Sequence, residues 1–429
     1  MILALVIFAV TYLLMLALPK ERPWVALCSA AVFMALGQLG VYDFSLSAAL
    51  GAVDYNVLLM MSGTMGIVSL FIRSRMPARL AEQLIVRVPN AQWAVCVLAL
   101  FAGVISAFVD NVATVLMVAP VGLAIARKLK ISPVPVIIAI AVSSNLQGAA
   151  TLVGDTTSIL LGGHMGLDFM DFFAYRGRPG LFWVVQAGAL MTVPVMLFLF
   201  RKEKGKLYGA ALTPVTDYLP TWLLLGTVLS LIAASFIPNK PEITNGLICM
   251  TFFLAGLAAE CGRYGTALAK DVLKAIDYET LALLAGLFLV IRGIERAGII
   301  DDLSHIITGM GGGNLFLTYT IIVWASVLIS AFIDNIPYVA TMLPVVGGVA
   351  TALGVDQTVL CFGLLVGATL GGNLTPVGAS ANIAACGILR REGYEVSAGQ
   401  FMRIGVPFTL TAVLTGYVLC WLFYAGLGV

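Results

Sequence analysis

Apolar residues occur along this chain in runs too long for the half-buried helices of a water-soluble domain, and the polar residues that break them cluster at a few points. A helix needs about 20 apolar residues to cross a hydrocarbon core of ~30 Å. Eight segments meet that need: 1–19, 23–40, 54–72, 181–200, 220–237, 243–259, 277–297 and 404–427. The first lacks a basic leader and a small-residue cleavage site, so it reads as a retained span. Four regions do not fit so simply. Residues 93–126 are apolar except for Asp110-Asn111 at their centre, and 314–346 repeat the design around Asp334-Asn335. Each is too long for one crossing and too short for two, which predicts a re-entrant hairpin with arms of about 15 residues and a polar tip at mid-depth. Residues 133–163 and 357–389 are interrupted by Gly-rich polar stretches at 148–158 and 371–382, and read as single crossings by discontinuous helices. Non-helical backbone survives at that depth only where protein or a wet cavity satisfies it.

Ten crossings and two hairpins assign every loop a side, and basic residues test the assignment. With the loop after the first span inside, 19 of the 24 Lys and Arg residues fall inside, among them Lys20, Arg22, Arg73, Arg75, Arg79, the cluster 127–130, Arg201 to Lys206, Lys270 and Lys274. Arg176, Arg178, Lys240, Arg292 and Arg296 fall outside or at span ends. Both termini are then expected outside. Arg292 and Glu295, three apart near a span end, are expected to form a local ion pair, and His164 and His305 are expected in solvated outer loops.

Composition agrees. Residues of the apolar set make up 60% of the chain and charged residues 11%, with a mean hydropathy of +1.02. Soluble domains carry about 25% charged residues, so soluble enzymes, nucleic-acid binders and disordered scaffolds are excluded. A formal net charge of +2 implies no polyanion-binding face. The seven cysteines form no CxxC pair and read as free buried thiols. No Walker motif, HExxH or metal-spaced His cluster occurs, so no cofactor is expected.

The two halves match at a constant offset. Asp54-Tyr55…Gly63 matches Asp277-Tyr278…Gly286 at 223, and Ser106-Ala-Phe-Val-Asp-Asn111…Pro120 matches Ser330-Ala-Phe-Ile-Asp-Asn335…Pro344 at 224. Gly148…Thr151…Val153-Gly154…Ile159 matches Gly372…Thr375…Val377-Gly378…Ile383, again at 224. An odd number of crossings between the copies inverts the second. The expected fold is thus an all-α polytopic membrane protein, an inverted-repeat secondary transporter whose broken helices meet at the midplane. The layout is 1–53 as N-terminal scaffold spans, 54–200 as repeat 1, 201–276 as linker and connecting spans, and 277–429 as repeat 2.

Four polar interruptions then converge. Tip 1 brings Asp110, Asn111 and Thr114; break 1 brings Thr151, Gly154, Asp155, Thr156, Thr157 and Ser158; tip 2 brings Asp334 and Asn335; break 2 brings Asn373, Thr375, Gly378, Ser380 and Asn382. Unwound turns expose carbonyls to a cation, and half-helix N-termini offer N–H groups to an anion. An ionised Asp at mid-bilayer costs at least ~2.5–3.5 kcal/mol, so each is a functional candidate, with helix capping as the compatible structural role. The interruptions hold three carboxylates and no Lys, Arg or His. A cation competing with protons suits that balance, with Na+ held at Asp110, Asn111, Asp155, Asp334 and Asn335.

The residues Ser106-Ala-Phe-Val-Asp-Asn-Val-Ala-Thr-Val-Leu-Met-Val-Ala-Pro120 resemble the first hairpin of the arsenite-permease and P-protein branch of the ion transporter superfamily. Gly372-Asn-Leu-Thr-Pro-Val-Gly-Ala-Ser-Ala-Asn-Ile383 resembles that branch's second broken helix. Gly154-Asp-Thr-Thr-Ser158 departs from the branch's usual Gly-Asp-Pro-Pro-Asn and is similar to the NhaD-type sodium/proton antiporters. The resemblance spans about residues 50–425. It implies a citrate-transporter-like membrane fold, a scaffold domain that is commonly dimeric, and a moving domain carrying both hairpins and both broken helices. It also implies an ion or substrate site at Asp110, Asn111, Asp334 and Asn335. Carboxylate-transporting cousins read Ser-Asn-Thr at the tips, so Asp here argues against citrate or dicarboxylate uptake. The expected function is sodium/proton-type cation antiport coupled to H+ and/or Na+. Alternatives are an anion or arsenite permease driven by proton motive force and, in another class, a channel or a membrane subunit of a larger complex. The expected partners are a small inorganic ion or small solute, the lipid bilayer of a bacterial inner membrane, and a second copy of the chain, with no nucleic acid.

Overall fold

The computed structural model describes residues 2–41, 44–202, 205, 213–265 and 267–426. Lys204 and Lys206, counted above among the inner charges, lie outside these. The first half runs α1 (Ile2–Ala17), α2 (Arg22–Gln38), α3 (Leu46–Ala52), α4 (Tyr55–Arg73), α5 (Met76–Ile85), α6 (Ala91–Ser106), α7 (Asn111–Leu129), α8 (Pro133–Gly148), α9 (Thr156–Met165) and α10 (Leu181–Leu199). The second half runs α11 (Leu219–Ala234), α12 (Thr244–Tyr264), α13 (Ala267–Lys274), α14 (Tyr278–Arg296), α15 (Ile299–Met310), α16 (Leu315–Ser330), α17 (Asn335–Leu353), α18 (Thr358–Gly371), α19 (Ser380–Arg391) and α20 (Ala398–Tyr424). A two-residue antiparallel pair, Ala174–Tyr175 with Arg178–Pro179, precedes α10.

The polar residues that recur in the sequence are helix caps. Asp54 accepts from Val57 N (3.0 Å) and Asp277 from Thr280 N (3.0 Å), starting α4 and α14. Asn90 caps α6 through Trp93 N and Asn314 caps α16 through Leu317 N. A capping side chain satisfies one of the orphaned first-turn N–H groups, which explains why the type and place of these residues repeat. Left-handed residues recur too: Arg75 (φ 58°) begins α5 and Gly298 (φ 76°) begins α15, 223 positions apart.

Helices α1, α2, α4, α11, α12 and α14 pack on one another, as do α6–α10 with α16–α20, while α5 lies between α4 and the α6–α7 pair and α15 between α14 and α17. The closest helix pairs use small residues. A Cβ on Gly63 would fall 2.5 Å from the Cys249 carbonyl carbon on α12, and one on Gly286 would fall 2.8 Å from that of Ala26 on α2. Cys249 and Ala26 are again 223 apart, so α2 relates to α14 as α12 relates to α4. Apolar residues matched at that spacing carry little information, which kept this correspondence out of the sequence comparison.

Four segments read as loops are helices: α3, α5, α13 and α15. Each is only 7–12 residues long, too short to register as a span. Their apolar residues line one face, as in α13, where Leu268 and Val272 are buried. Arg79, Lys270 and Lys274 therefore sit on helices, and so do the exposed His164 (α9) and His305 (α15). Among the described residues, six helices are individually long and apolar enough to cross a membrane: α4, α7, α10, α12, α17 and α20; α15 and α16 qualify only together, bent by 113°. The chain is a multi-pass integral membrane protein. Helices α7 and α17, the second arms of the expected hairpins, run 19 residues each, longer than anticipated. Arg292 Nη1 and Glu295 Oε2 pair at 2.7 Å, as expected. All seven cysteines are free; Cys96, Cys249, Cys361 and Cys420 are buried, whereas Cys28 is exposed.

Candidate functional site

Each half contributes two helix starts to one locus. Asp110 caps α7 by accepting from Ala113 N (3.1 Å), and Asp334 caps α17 by accepting from Ile336 N (3.1 Å). Asp155 caps α9 through Thr156 N (2.8 Å) and also accepts from Thr157 Oγ1 (2.8 Å). The fourth start, α19, has Ala379 at the capping position and is uncapped by side chain. Three of four N-terminal dipoles thus face a built-in carboxylate.

The breaks are bolted to the tips by backbone. Thr151 Oγ1 donates to Ala107 O and Thr375 Oγ1 to Ala331 O, the same bond in both halves. A Cβ on Gly154 would lie 2.5, 2.7 and 2.8 Å from the carbonyl oxygens of Gly148, Ala107 and Ser106; on Gly378 it would lie 2.6, 2.8 and 2.8 Å from those of Gly372, Ala331 and Ser330. Only glycine fits either cage. The Asn335 amide, oriented by the acceptors around it, donates to Gly378 O (3.2 Å) and Ala368 O (3.3 Å). Asn382 Nδ2 donates to Gly372 O (3.0 Å), and Ser158 Oγ to Gly148 O (3.5 Å).

A cavity of ≈ 500 Å3 opens against this locus. Asp110, Asn111, Asp155, Thr156, Asp334, Asn335 and Ser380 form its polar end; Met65, Val68 and Ile72 of α4 and Leu116 of α7 form an apolar wall. Arg73, Asp271, Asp277 and Thr280 line its other end, where Arg73 and Asp271 pair at 3.6 Å. Of the residues read from sequence, Thr157 and Asn373 stand one layer behind the cavity. Thr114, Thr151, Thr375, Gly154, Gly378 and Asn382 hold backbone against backbone and do not line it.

Three residues join the site that sequence reasoning passed over. Asn145 on α8 accepts from Asn111 Nδ2 (2.8 Å) and donates to Asn373 Oδ1 (3.1 Å) and Thr369 O (2.9 Å), stitching the halves together. Thr369 Oγ1 meets Thr157 Oγ1 at 3.0 Å. Arg22, at the first turn of α2, reaches Asp334 Oδ2 with Nη1 at 3.0 Å while its Nε donates to Met15 O (3.1 Å). Arg22 and Asp334 are 19% and 14% exposed, so the pair is largely withdrawn from solvent. Ser380 Oγ donates to the same Asp334 oxygen (3.3 Å). Among the described residues no Lys, Arg or His pairs with Asp110 or Asp155, and no group of three or more metal-ligating side chains occurs.

Residues 3–367 match the CitMHS family model, described as citrate transporter. The chain belongs to the citrate transporter family. The chain is 32% identical over 430 residues to an uncharacterised transporter of Mycobacterium tuberculosis, covering 99% of both chains. It is 27% identical to the human P protein over 98% of this chain and 58% of that one, in keeping with the P-protein resemblance of residues 106–120. The fold is similar to that of the YdaH transporter of Alcanivorax borkumensis (TM-score 0.60, 16% identity, 95% of this chain and 98% of that one). It is also similar to that of MtrF of Neisseria gonorrhoeae (TM-score 0.57, 14% identity, 86% and 81%). Membership in the citrate transporter family makes the chain a secondary transporter of small solutes or ions, not an enzyme.

Proposed function

We propose that the chain exchanges a small cation for protons by alternating access, with Asp110, Asp155 and Asp334 as the binding carboxylates. The single observation that carries this reading is the convergence of three carboxylates on one ≈ 500 Å3 cavity, each at the start of a helix. All three line that common space, and Asp110 accepts a capping bond from Ala113 N with no cationic side chain paired to it among the described residues. Two oppositely oriented repeats frame the site in this reading. α1 and α2 belong to the first copy and α11 and α12 to the second, a division the paired contacts of Gly63 and Gly286 support. The tips are re-entrant, the body of α6–α10 and α16–α20 moves, and the helices around α2, α4, α12 and α14 form the scaffold. The end of the cavity at Arg73 lies on the side that the Lys and Arg bias assigns to the cytoplasm, so in this reading the conformation is open inward.

A second reading, proton-driven uptake or efflux of an anion such as arsenite or a carboxylate, is favoured by two observations. The family model is described as citrate transporter, and the uncapped start of α19 presents Ser380 to the cavity. Flux in liposomes containing this chain alone separates the two. Under an imposed pH gradient, Na+ and Li+ should dissipate the gradient with saturation and counterflow, and Asp110→Asn and Asp334→Asn should each abolish that. Dissipation by arsenite or carboxylates alone would refute the cation reading. Current without exchange would identify a channel. Transport intact in both variants would refute the site.

A further inference from the structure

We propose that Arg22 is a tethered cation that occupies the cargo position at Asp334 and must be displaced for cargo to bind; this rests on the cation reading of the same site. The geometry is asymmetric in a way the sequence repeat is not. Asp110 and Asp334 are equivalent in sequence and both line the cavity, yet only Asp334 carries a guanidinium, at 3.0 Å. Arg22 is held for this task. Its Nε is fixed on Met15 O at the end of α1, where a cation is favoured by the exposed carbonyls of a helix terminus. Its side chain leaves α2, which packs on α14, and crosses to the tip of a hairpin that packs with α18. Tyr12 reinforces the crossing: its hydroxyl donates to Pro337 O (2.9 Å) and meets Thr341 Oγ1 on α17.

The corresponding residue 223 positions on, by the Ala26–Cys249 relation, is Asn245. It is buried, has no hydrogen-bond partner on Oδ1, and faces a different cavity near Asp54 and Glu242. Among the described residues there is therefore one such cation, not two, and the two acids are not alike in occupancy. With Arg22 in place, Asp334 has three donors in Ile336 N, Ser380 Oγ and the guanidinium. A cation that uses Asp334 must break the third. Its apparent affinity is then its intrinsic affinity scaled by the fraction of molecules in which the pair is open. When cargo leaves, Arg22 returns and the carboxylate is never left buried and unpaired, which would be strongly unfavourable.

The test is equilibrium binding of radiolabelled Na+ to the purified full-length chain, with size-exclusion profile and thermal unfolding recorded for every variant. Arg22→Gln should bind Na+ at least tenfold more tightly than wild type. Arg22→Lys, which restores a charge, should return to within threefold of wild type, and Arg22→Gln combined with Asp334→Asn should lose the gain. Arg22→Met, which keeps the apolar stem, gives the same comparison if Arg22→Gln does not accumulate as folded protein. A purely structural Arg22 would lower thermal stability without tightening Na+ binding. Wild type that binds Na+ with unchanged or weakened affinity in Arg22→Gln and Arg22→Met would overturn this inference alone. Absence of Na+ binding in wild type and both neutral variants would overturn the cation reading, and this inference with it.

Discussion

Two glycines nine positions apart should respond to alanine with opposite sign. Gly378 lies just before α19, and a Cβ there would meet three carbonyl oxygens at 2.6, 2.8 and 2.8 Å. All three belong to backbone, so none can rotate away, and separations of this kind sit far inside the ~3.5–4.0 Å of favourable packing. Forcing extra volume into a filled site costs about 1–3 kcal/mol, and a rigid cage puts Gly378→Ala at the upper end. Gly378 has no positive φ, so the loss is steric and not conformational. Gly387, inside α19, has no atom within 4 Å of a built Cβ. There alanine only gains helix propensity, about 0.8–1.0 kcal/mol. The two variants should differ by about 2–4 kcal/mol. The measurement is apparent melting temperature in detergent, with the monodisperse fraction after a heat step as a second reading. Gly378→Ala should melt below wild type and Gly387→Ala at or above it, and Gly154→Ala should follow Gly378→Ala. Equal melting of Gly378→Ala and Gly387→Ala would refute the carbonyl cage.

The left-handed connectors predict another opposed pair. Arg75→Gly should raise the melting temperature, because a left-handed conformation costs an ordinary residue about 1–2 kcal/mol, and Gly298→Ala should lower it by a similar amount. Asp356, in the turn before α18, accepts from Thr358 N (2.8 Å) and pairs with Arg176 (2.6 Å). Partial burial pushes its carboxyl upward, but Thr358 and Arg176 outweigh that and hold it below the usual carboxylate range. A lowered folded value contributes stability above the unfolded value and loses it as pH falls through the folded one. The melting deficit of Asp356→Asn should therefore be constant from pH 7 to about 5 and shrink below about 4. Its size should be about 1 kcal/mol, mostly the bond from Thr358 N, since the ion pair is half exposed on its Arg side.

What the sequence disclosed was where helices stop. Asp110-Asn111, Asp334-Asn335 and Asp155 are charges or amides inside apolar runs, and each falls at a helix start. The glycines at 154 and 378 were legible for the same reason, because a repeated Gly in a polar break marks close backbone approach. Arg22 was not legible. It sits at a span end where basic residues usually set orientation, and its partner is 312 positions away. Asn145 could have been found: Ser143, Ser144, Asn145 and Gln147 are four polar residues within one apolar helix, all buried, and such a run is costly unless it faces other polar groups. The short connectors α5 and α15 were missed because their apolar residues cover only one face, a signal that the neighbouring long runs swamp.

The glycine cages have a mechanical meaning. Each locks the chain break before α9 or α19 to the carbonyls at the end of α6 or α16, so neither can slide on the other without emptying space that a methyl group could not enter. In the alternating-access reading proposed above, large displacement has to be absorbed elsewhere, and among the described residues Arg75 and Gly298 are candidate joints, each an elbow at the head of a short helix between the two packed bodies. In that reading, stiffening those elbows, not the breaks, is the way to hold the protein in a single pose.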